Sequence, residues 1–303
     1  MVVASHISIS YKKVNALKDI SFSVNEGELF GFIGPDGAGK TSLLRILTTL
    51  ILADSGSASV FGLDVVKDYK NIRKITGYMP GRFSLYQDLS VEENLSFFAA
   101  VFGTTLKENY DLIKDIYIQI EPFKDRPAGK LSGGMKQKLA LSCALIHKPK
   151  ILVLDEPTTG VDAVSRKEFW QMLKKLKNDG ITILVSTPYM DEAELCDRVA
   201  LIQKGEILDI DTPMGIISKY KNVLFEISSD NMYKLKGDIG KFNDTLSVFL
   251  FGQFLHFSPK SGRKDTDVLK KYLEEKGHKN IIIRECKPNI EDCFMDLMQS
   301  ENG

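Results

Sequence analysis

Gly34-Pro35-Asp36-Gly37-Ala38-Gly39-Lys40-Thr41-Ser42 fits the phosphate-cradling pattern G-x-x-x-x-G-K-[ST]. Glycine lacks a Cβ, so such a loop can turn its backbone N–H groups inward onto phosphate oxygens. Lys40 can reach the terminal phosphates of a nucleotide, and the Thr41 hydroxyl can ligate Mg²⁺. A second chemical pair, Asp155-Glu156, follows directly on the apolar run Ile151-Leu152-Val153-Leu154. Acids at the carboxyl end of a buried parallel strand stand where α/β proteins bind ligands. Asp155 would hold Mg²⁺ together with Thr41, and Glu156 would polarise the attacking water. A third motif is Leu131-Ser132-Gly133-Gly134-Met135-Lys136-Gln137-Lys138. Ser-Gly-Gly at a helix start is another small anion nest. A second phosphate site far from the first makes sense when it completes the site of another subunit.

These groups need particular elements to hold them. Leu29-Phe30-Gly31-Phe32-Ile33 before the loop reads as a buried strand, and Ser42 to Leu47 after it as a helix with its positive dipole end toward the anion. Val3 to Ser10 and Leu17 to Val24 alternate as half-buried strands do, and Ser57 to Phe61 reads as a further strand. Helical spacing runs over Val91–Phe102, with Ser90 as its N-cap, then over Asn109–Ile120 and Met135–Ile146. Another helix runs from Arg166 to Asn178, with Gly180 in the C′ position, and a short one from Asp191 to Cys196. Ile151–Leu154, Ile181–Ser186 and Arg198–Gln203 are strands of a mainly parallel sheet. The expected fold class is therefore α/β.

The pattern changes after about Tyr220. Strands at Val223–Ser228, Thr245–Leu250, Phe254–Phe257 and Lys279–Glu285 alternate with helices at Asp230–Gly237 and Asp265–Lys276, before a closing helix at Ile290–Met298. This β-α-β-β-α-β order resembles a split βαβ unit, a small α+β domain over residues 221–303. Without a Gly-rich loop or an acidic cluster, it reads as a regulatory or dimer-supporting extension.

Composition narrows the classes. The chain has 303 residues, enough for two domains, with 43% hydrophobic and 26% charged residues. Lys+Arg and Asp+Glu both count 40, which argues against a nucleic-acid partner. The four cysteines form no C-x-x-C pair and have no histidine at zinc-like spacing, so free thiols in a reducing cytosol are expected. The first residues, Met1-Val2-Val3-Ala4-Ser5-His6, lack a signal-peptide pattern. No apolar run reaches the ~18 residues of a membrane span. Work at a membrane would need spans from another chain.

Taken together, the phosphate loop, the acid pair and the Ser-Gly-Gly motif resemble the ATP-binding subunits of ABC transporters, a P-loop NTPase family with the signature LSGGQ. The resemblance covers residues 3 to 220 and implies ATP and Mg²⁺ as cofactors. The implied fold has a mainly parallel sheet, an antiparallel β subdomain, and a helical subdomain over about residues 90–148. In that family two nucleotide domains meet head to tail, each ATP lying between one phosphate loop and the opposite signature. The resemblance implies that Gly34 to Ser42 bind ATP and that Ser132, Gly133 and Gly134 serve the opposite site. It makes Tyr11 the aromatic that stacks on adenine and Asp162, in Thr159-Gly160-Val161-Asp162, part of the D-loop at the dimer interface.

Three positions depart from the family. Met135 replaces the signature Gln. Gly81, in Tyr78-Met79-Pro80-Gly81-Arg82, stands where the family has a Gln that touches Mg²⁺ and couples to the membrane domain. Pro188 stands in the slot of a His that contacts the γ-phosphate, with Thr187 as a weak substitute donor. Gln87 lies six residues past Gly81, in a different loop register. The C-terminal Pro288-Asn289-Ile290-Glu291-Asp292-Cys293-Phe294 is similar to drug-exporter ATPases.

The expectation is an ATP hydrolase driving export through a separate integral membrane permease. It would be cytoplasmic, on the inner face of the membrane, as a homodimer or a heterodimer with a second ABC ATPase. Its own site would be impaired by Gly81 and Pro188. The alternatives are a non-transport ABC-type ATPase and a nucleotide-binding regulator.

Overall fold

The computed structural model describes residues 1–300 and divides into two units, Met1–Pro213 and the remainder from Met214. The break falls at the start of a short helix, earlier than the change of pattern at Tyr220.

In the first unit, β1 (Val2–Tyr11) and β2 (Val14–Val24) form an antiparallel pair, and β3 (Leu29–Ile33) leads into α1 (Lys40–Leu47). Next come β4 (Ser55–Val60), β5 (Leu63–Asp64), α2 (Tyr69–Ile75) and β6 (Thr76–Met79). A helical stretch holds α3 (Val91–Val101), α4 (Tyr110–Tyr117) and α5 (Gly133–Leu145). The chain then runs through β7 (Ile151–Asp155), α6 (Ala163–Asn178), β8 (Thr182–Thr187), a 3₁₀ turn at Met190–Leu195, β9 (Arg198–Gln203) and β10 (Glu206–Asp211).

Two sheets result. The central one has the order β10-β9-β3-β8-β7-β6 and is parallel except for the β9–β10 pair. Every residue of β3, β7 and β8 is buried, the mark of strands covered on both faces. The other sheet, β2-β1-β4-β5, is antiparallel. One apolar core joins the two sheets and α1, with Phe22, Phe30 and Phe32 meeting at ring-centroid distances of 5.1 to 6.1 Å.

The helical stretch has its own punctuation. Ser90 Oγ accepts from Glu93 N, and Glu93 Oε2 accepts from Ser90 N, a complete capping box. The helix after Ser132 begins at Gly133 rather than Met135, because Ser132 itself is the N-cap. The segment after β8 is a 3₁₀ turn rather than an α-helix. The sequence reading lacked α2, in which only Ile72 is buried, and β10, whose residues are all half-buried. Neither has the periodic contrast that pattern reading needs.

The second unit begins in α7 (Pro213–Ser218) and continues with β11 (Phe225–Ser228), α8 (Met232–Gly240), β12 (Thr245–Phe251), β13 (Phe254–Pro259), α9 (Asp267–Glu275), β14 (Ile282–Glu285) and α10 (Ile290–Ser300). Its antiparallel sheet has the order β12-β13-β11-β14, which is the split βαβ arrangement. Phe225, Ile227, Leu255 and Phe257 of the sheet pack on Leu235, Ile239, Leu269 and Leu273 of α8 and α9. Among the described residues, no helix is long and apolar enough to cross a membrane.

Candidate nucleotide site

The carboxyl end of β3 opens into Gly34, whose N–H donates to Thr187 O of β8 at 3.3 Å. A Cβ at Gly34 would stand 2.1 Å from Ile202 O of β9. At Gly39, where φ is 105°, it would stand 2.4 Å from Ala16 O of β2. Both positions therefore require glycine for close backbone approach. Gly39 caps α1 without any side-chain hydrogen bond. The first-turn amides of α1 are thus left to an anion, with the helix dipole behind them. Lys40 is only 3% exposed. Its ammonium donates to Gly34 O at 2.7 Å and Pro35 O at 3.0 Å, and lies 3.4 Å from Glu156 Oε1.

Asp155 ends β7, and Thr41 Oγ1 donates to its Oδ1 at 3.1 Å. The phosphate loop and the acidic strand thus meet at one point. Ser186 Oγ also donates to Asp155 Oδ1, at 2.6 Å, and accepts from Glu156 N at 3.0 Å. Sequence reading missed Ser186, an ordinary strand serine until β8 pairs Asp155 with it in register. Glu156 has φ 49°, a left-handed conformation unusual for a non-glycine residue. Its N–H is held by both the carbonyl and the hydroxyl of Ser186. The donor set offered by Thr41 and Asp155 is all oxygen, which suits Mg²⁺. Beside it, burial first and then the Asp155 charge raise the Tyr78 phenol above its ordinary 10.0. Tyr11, at the end of β1, is 46% exposed, and its hydroxyl accepts from Ser42 Oγ at 3.4 Å. That exposure sets it outside the core and beside the phosphate loop.

Gly81 borders the same acid. A Cβ there would lie 3.1 Å from Asp155 O and 3.7 Å from Asp155 Oδ2. The position abuts the metal-binding candidate and contributes no side-chain oxygen to it. Gln87 lies against Gly129 instead: its backbone carbonyl accepts from Gly129 N, and its Oε1 would stand 3.6 Å from a Cβ at Gly129. One expectation needs correction. The Thr187 hydroxyl is not a spare donor, because it is fully buried and donates to Glu192 Oε2. Glu192, 1% exposed, also accepts from Thr158 Oγ1 at 2.7 Å and lies 3.7 Å from Arg166 Nε. The Arg166 guanidinium stacks over Tyr189 at 4.1 Å. This buried carboxylate ties the turn after Glu156 to the turn holding Pro188.

Ser132 caps α5, accepting from Met135 N at 3.4 Å. A Cβ at Gly133 would lie 3.3 Å from Gly160 O, and one at Gly134 would lie 2.6 Å from Ser165 Oγ. The Ser-Gly-Gly motif thus rests directly on the segment that carries Asp162. Asp162 caps α6, accepting from Val164 N and Ser165 N, and those bonds, that from Ser165 foremost, hold its carboxyl below the usual 3.8.

The ABC transporter family matches residues 17–159. The linearmycin resistance ATP-binding protein LnrL of Bacillus subtilis (strain 168) is 35% identical over 223 residues, covering 72% of this chain and 71% of that protein. The chain belongs to the ABC transporter family. It is an ABC-type cassette with the P-loop fold of its relatives. The Nod factor export ATP-binding protein I of Sinorhizobium fredii (strain NBRC 101917 / NGR234) is 32% identical over 98% of this chain and 85% of its own length. A protein named "Probable multidrug ABC transporter ATP-binding protein YbhF" of Escherichia coli (strain K12) is 38% identical over 93% of this chain. The chain spans only 49% of that relative's length. Among solved structures, a dimeric post-hydrolysis state of the ATP-binding cassette MJ0796 bound to ADP and Pi aligns with TM-score 0.64 and 25% identity, over 70% of this chain and 98% of that one.

Proposed function

We propose that this ABC cassette binds MgATP between two nucleotide domains arranged head to tail and powers export through a separate membrane permease. The observation that carries the site is the convergence of Lys40, Thr41, Asp155 and Glu156 at the end of β7. Thr41 and Asp155 would hold Mg²⁺, which supplies charge stabilisation to the phosphates. Lys40 and the loop amides bind the phosphates, and Glu156 orients water. Ser132, Gly133 and Gly134 would meet the nucleotide of the partner domain, with Asp162 at the interface. Export is supported by the multidrug, linearmycin resistance and Nod factor export roles for which these relatives are named.

A permease reading also draws on a groove of about 530 Å³ beside β6, lined by Phe83, Leu85, Phe98, Val101 and Phe102 with Arg82. The same loop carries Gly81 against Asp155, so an apolar segment docked there would press on the metal-binding acid. Co-purification of the chain with a membrane subunit tests this, and loss of that subunit on Phe98→Asp is the expected result. Recovery of the chain without any membrane partner would favour a non-transport role.

Gly81, Pro188 and the committed Thr187 hydroxyl favour a narrower statement. This site would hold ATP and turn it over slowly, while its signature assists a better-equipped partner ATPase. At the limit of no turnover it would act as a nucleotide-binding regulator.

A further inference from the structure

Glu226, His256 and Cys286 lie far apart in sequence, but the sheet of the second unit brings them together. Glu226 on β11 pairs across to His256 on β13 and to Arg284 on β14. Cys286 continues the β14 ladder, its N–H donating to Leu224 O at 3.0 Å. Side chains two apart share a face, so Cys286 stands on the face that carries Arg284 and Glu226. The opposite face is the apolar one that Phe225 and Ile227 turn to α8 and α9.

The ligating atoms of Glu226, His256 and Cys286 all lie within 4.8 Å of one another. We propose that these three side chains form a binding site for one divalent transition-metal ion, Zn²⁺ being the best match to the donors. A thiolate, an imidazole and a carboxylate are the borderline donors that Zn²⁺ takes in tetrahedral sites. Bond lengths of ~2.0–2.3 Å put tetrahedral ligand atoms about 3.5 Å apart, so closure needs a movement of about an ångström.

The surroundings are those of a metal-binding histidine. His256 is 6% exposed, and its Nδ1 pairs with Asp292 Oδ1 at 2.7 Å. Asp292 is itself fixed, because its Oδ2 accepts from Asn289 N while its N–H donates to Asn289 Oδ1, capping α10. Phe251 stacks on the imidazole at 4.1 Å. A carboxylate on Nδ1 sets the tautomer and leaves Nε2 with its lone pair. Nε2 lies 3.8 Å from Glu226 Oε1, beyond hydrogen-bond reach, and forms no hydrogen bond among the described residues. Arg284 Nε donates to Glu226 Oε2 at 2.5 Å, which leaves Oε1 to face the ion. As the metal–sulfur bond forms, the Cys286 thiol proton passes to solvent. The fourth position is open to water or to a small ligand.

The test uses the full chain, stripped with EDTA and free of nucleotide. Titration with Zn²⁺ alone gives a stoichiometry of one, and Co²⁺ in its place gives a thiolate-to-cobalt charge-transfer band. Cys286→Ser abolishes the band, and His256→Gln weakens Zn²⁺ binding at least about tenfold, by analogy with loss of ligand support elsewhere. Asp155→Ala and Cys293→Ser keep the band, which separates this site from the nucleotide site and from the neighbouring thiol. Circular dichroism and ATP affinity of Cys286→Ser match the parent chain. Failure of the parent chain to retain Zn²⁺, or an undiminished band in Cys286→Ser, overturns the proposal.

Discussion

Lys40 Nζ lies 3.4 Å from Glu156 Oε1, so the cation that would bind phosphate and the acid that would orient water are paired. Glu156 is 23% exposed on its side chain, whereas Lys40 is enclosed. A nucleotide phosphate would compete with Glu156 for the ammonium and free the carboxylate toward water. Lys40→Ala removes that charge and leaves Gly34 O and Pro35 O without their donor. The expected outcome is MgATP affinity lower by about ten- to a hundredfold, the worth of ~1.5–3 kcal/mol of charge-assisted bonds. Calorimetric titration of the variant with MgATP checks it.

Gly134 has room for no side chain, since a Cβ would fall 2.6 Å from Ser165 Oγ and 2.9 Å from Ser165 Cβ. Gly134→Ala is expected to destabilise the unit by about 1–3 kcal/mol through overpacking. Both clashes are with one side chain, so adding Ser165→Gly should restore much of the loss, less the ~1 kcal/mol that glycine costs in a helix. Denaturant midpoints of the single and double variants measure it.

His147 stacks on Phe102 at 3.7 Å, and its Nε2 lies 3.2 Å from Thr76 O of β6. Its Nδ1 is buried without a hydrogen-bond partner among the described residues. Burial pulls its pKa below the ordinary 6.5. The unfolded chain therefore takes up a proton at a pH where the folded chain does not. This contribution to stability is complete above about pH 6.5 and declines as pH falls below it. Urea midpoints taken from pH 7.5 down to 5.5 should drop less for His147→Gln than for the parent chain.

Much of the site was legible because its pieces are contiguous. Gly34–Ser42 runs without interruption from the end of a buried strand into the first turn of α1, and Asp155-Glu156 follows the four buried aliphatics of β7. The partners that lock these pieces were not legible. Ser186 reaches Asp155 only through the β7–β8 register, and Glu192 gathers Thr158, Thr187 and Arg166 from three separate segments. The fate of the Thr187 hydroxyl depends on that carboxylate, which takes up the donor that sequence alone leaves as a weak substitute for the family's His. Cys286 and His256 have no metal-type spacing in sequence, because cross-strand pairing rather than a helical repeat unites them.

Gly81→Gln puts an amide beside Asp155, where a Cβ meets Asp155 O at 3.1 Å and requires a shift of a few tenths of an ångström. If the missing oxygen limits this site, the variant should hydrolyse ATP about tenfold faster, one charge-assisted bond being worth ~1.5 kcal/mol. Phosphate release by the purified variant gives the answer, and an unchanged rate would assign the limit elsewhere.

Steady-state ATP hydrolysis by the purified chain alone, set beside Glu156→Gln, decides whether this site binds ATP firmly and turns it over slowly. Saturable MgATP binding by both proteins, slow turnover by the parent chain and only a small absolute drop in the variant are expected. Brisk turnover by the parent chain, abolished in Glu156→Gln, would contradict that expectation.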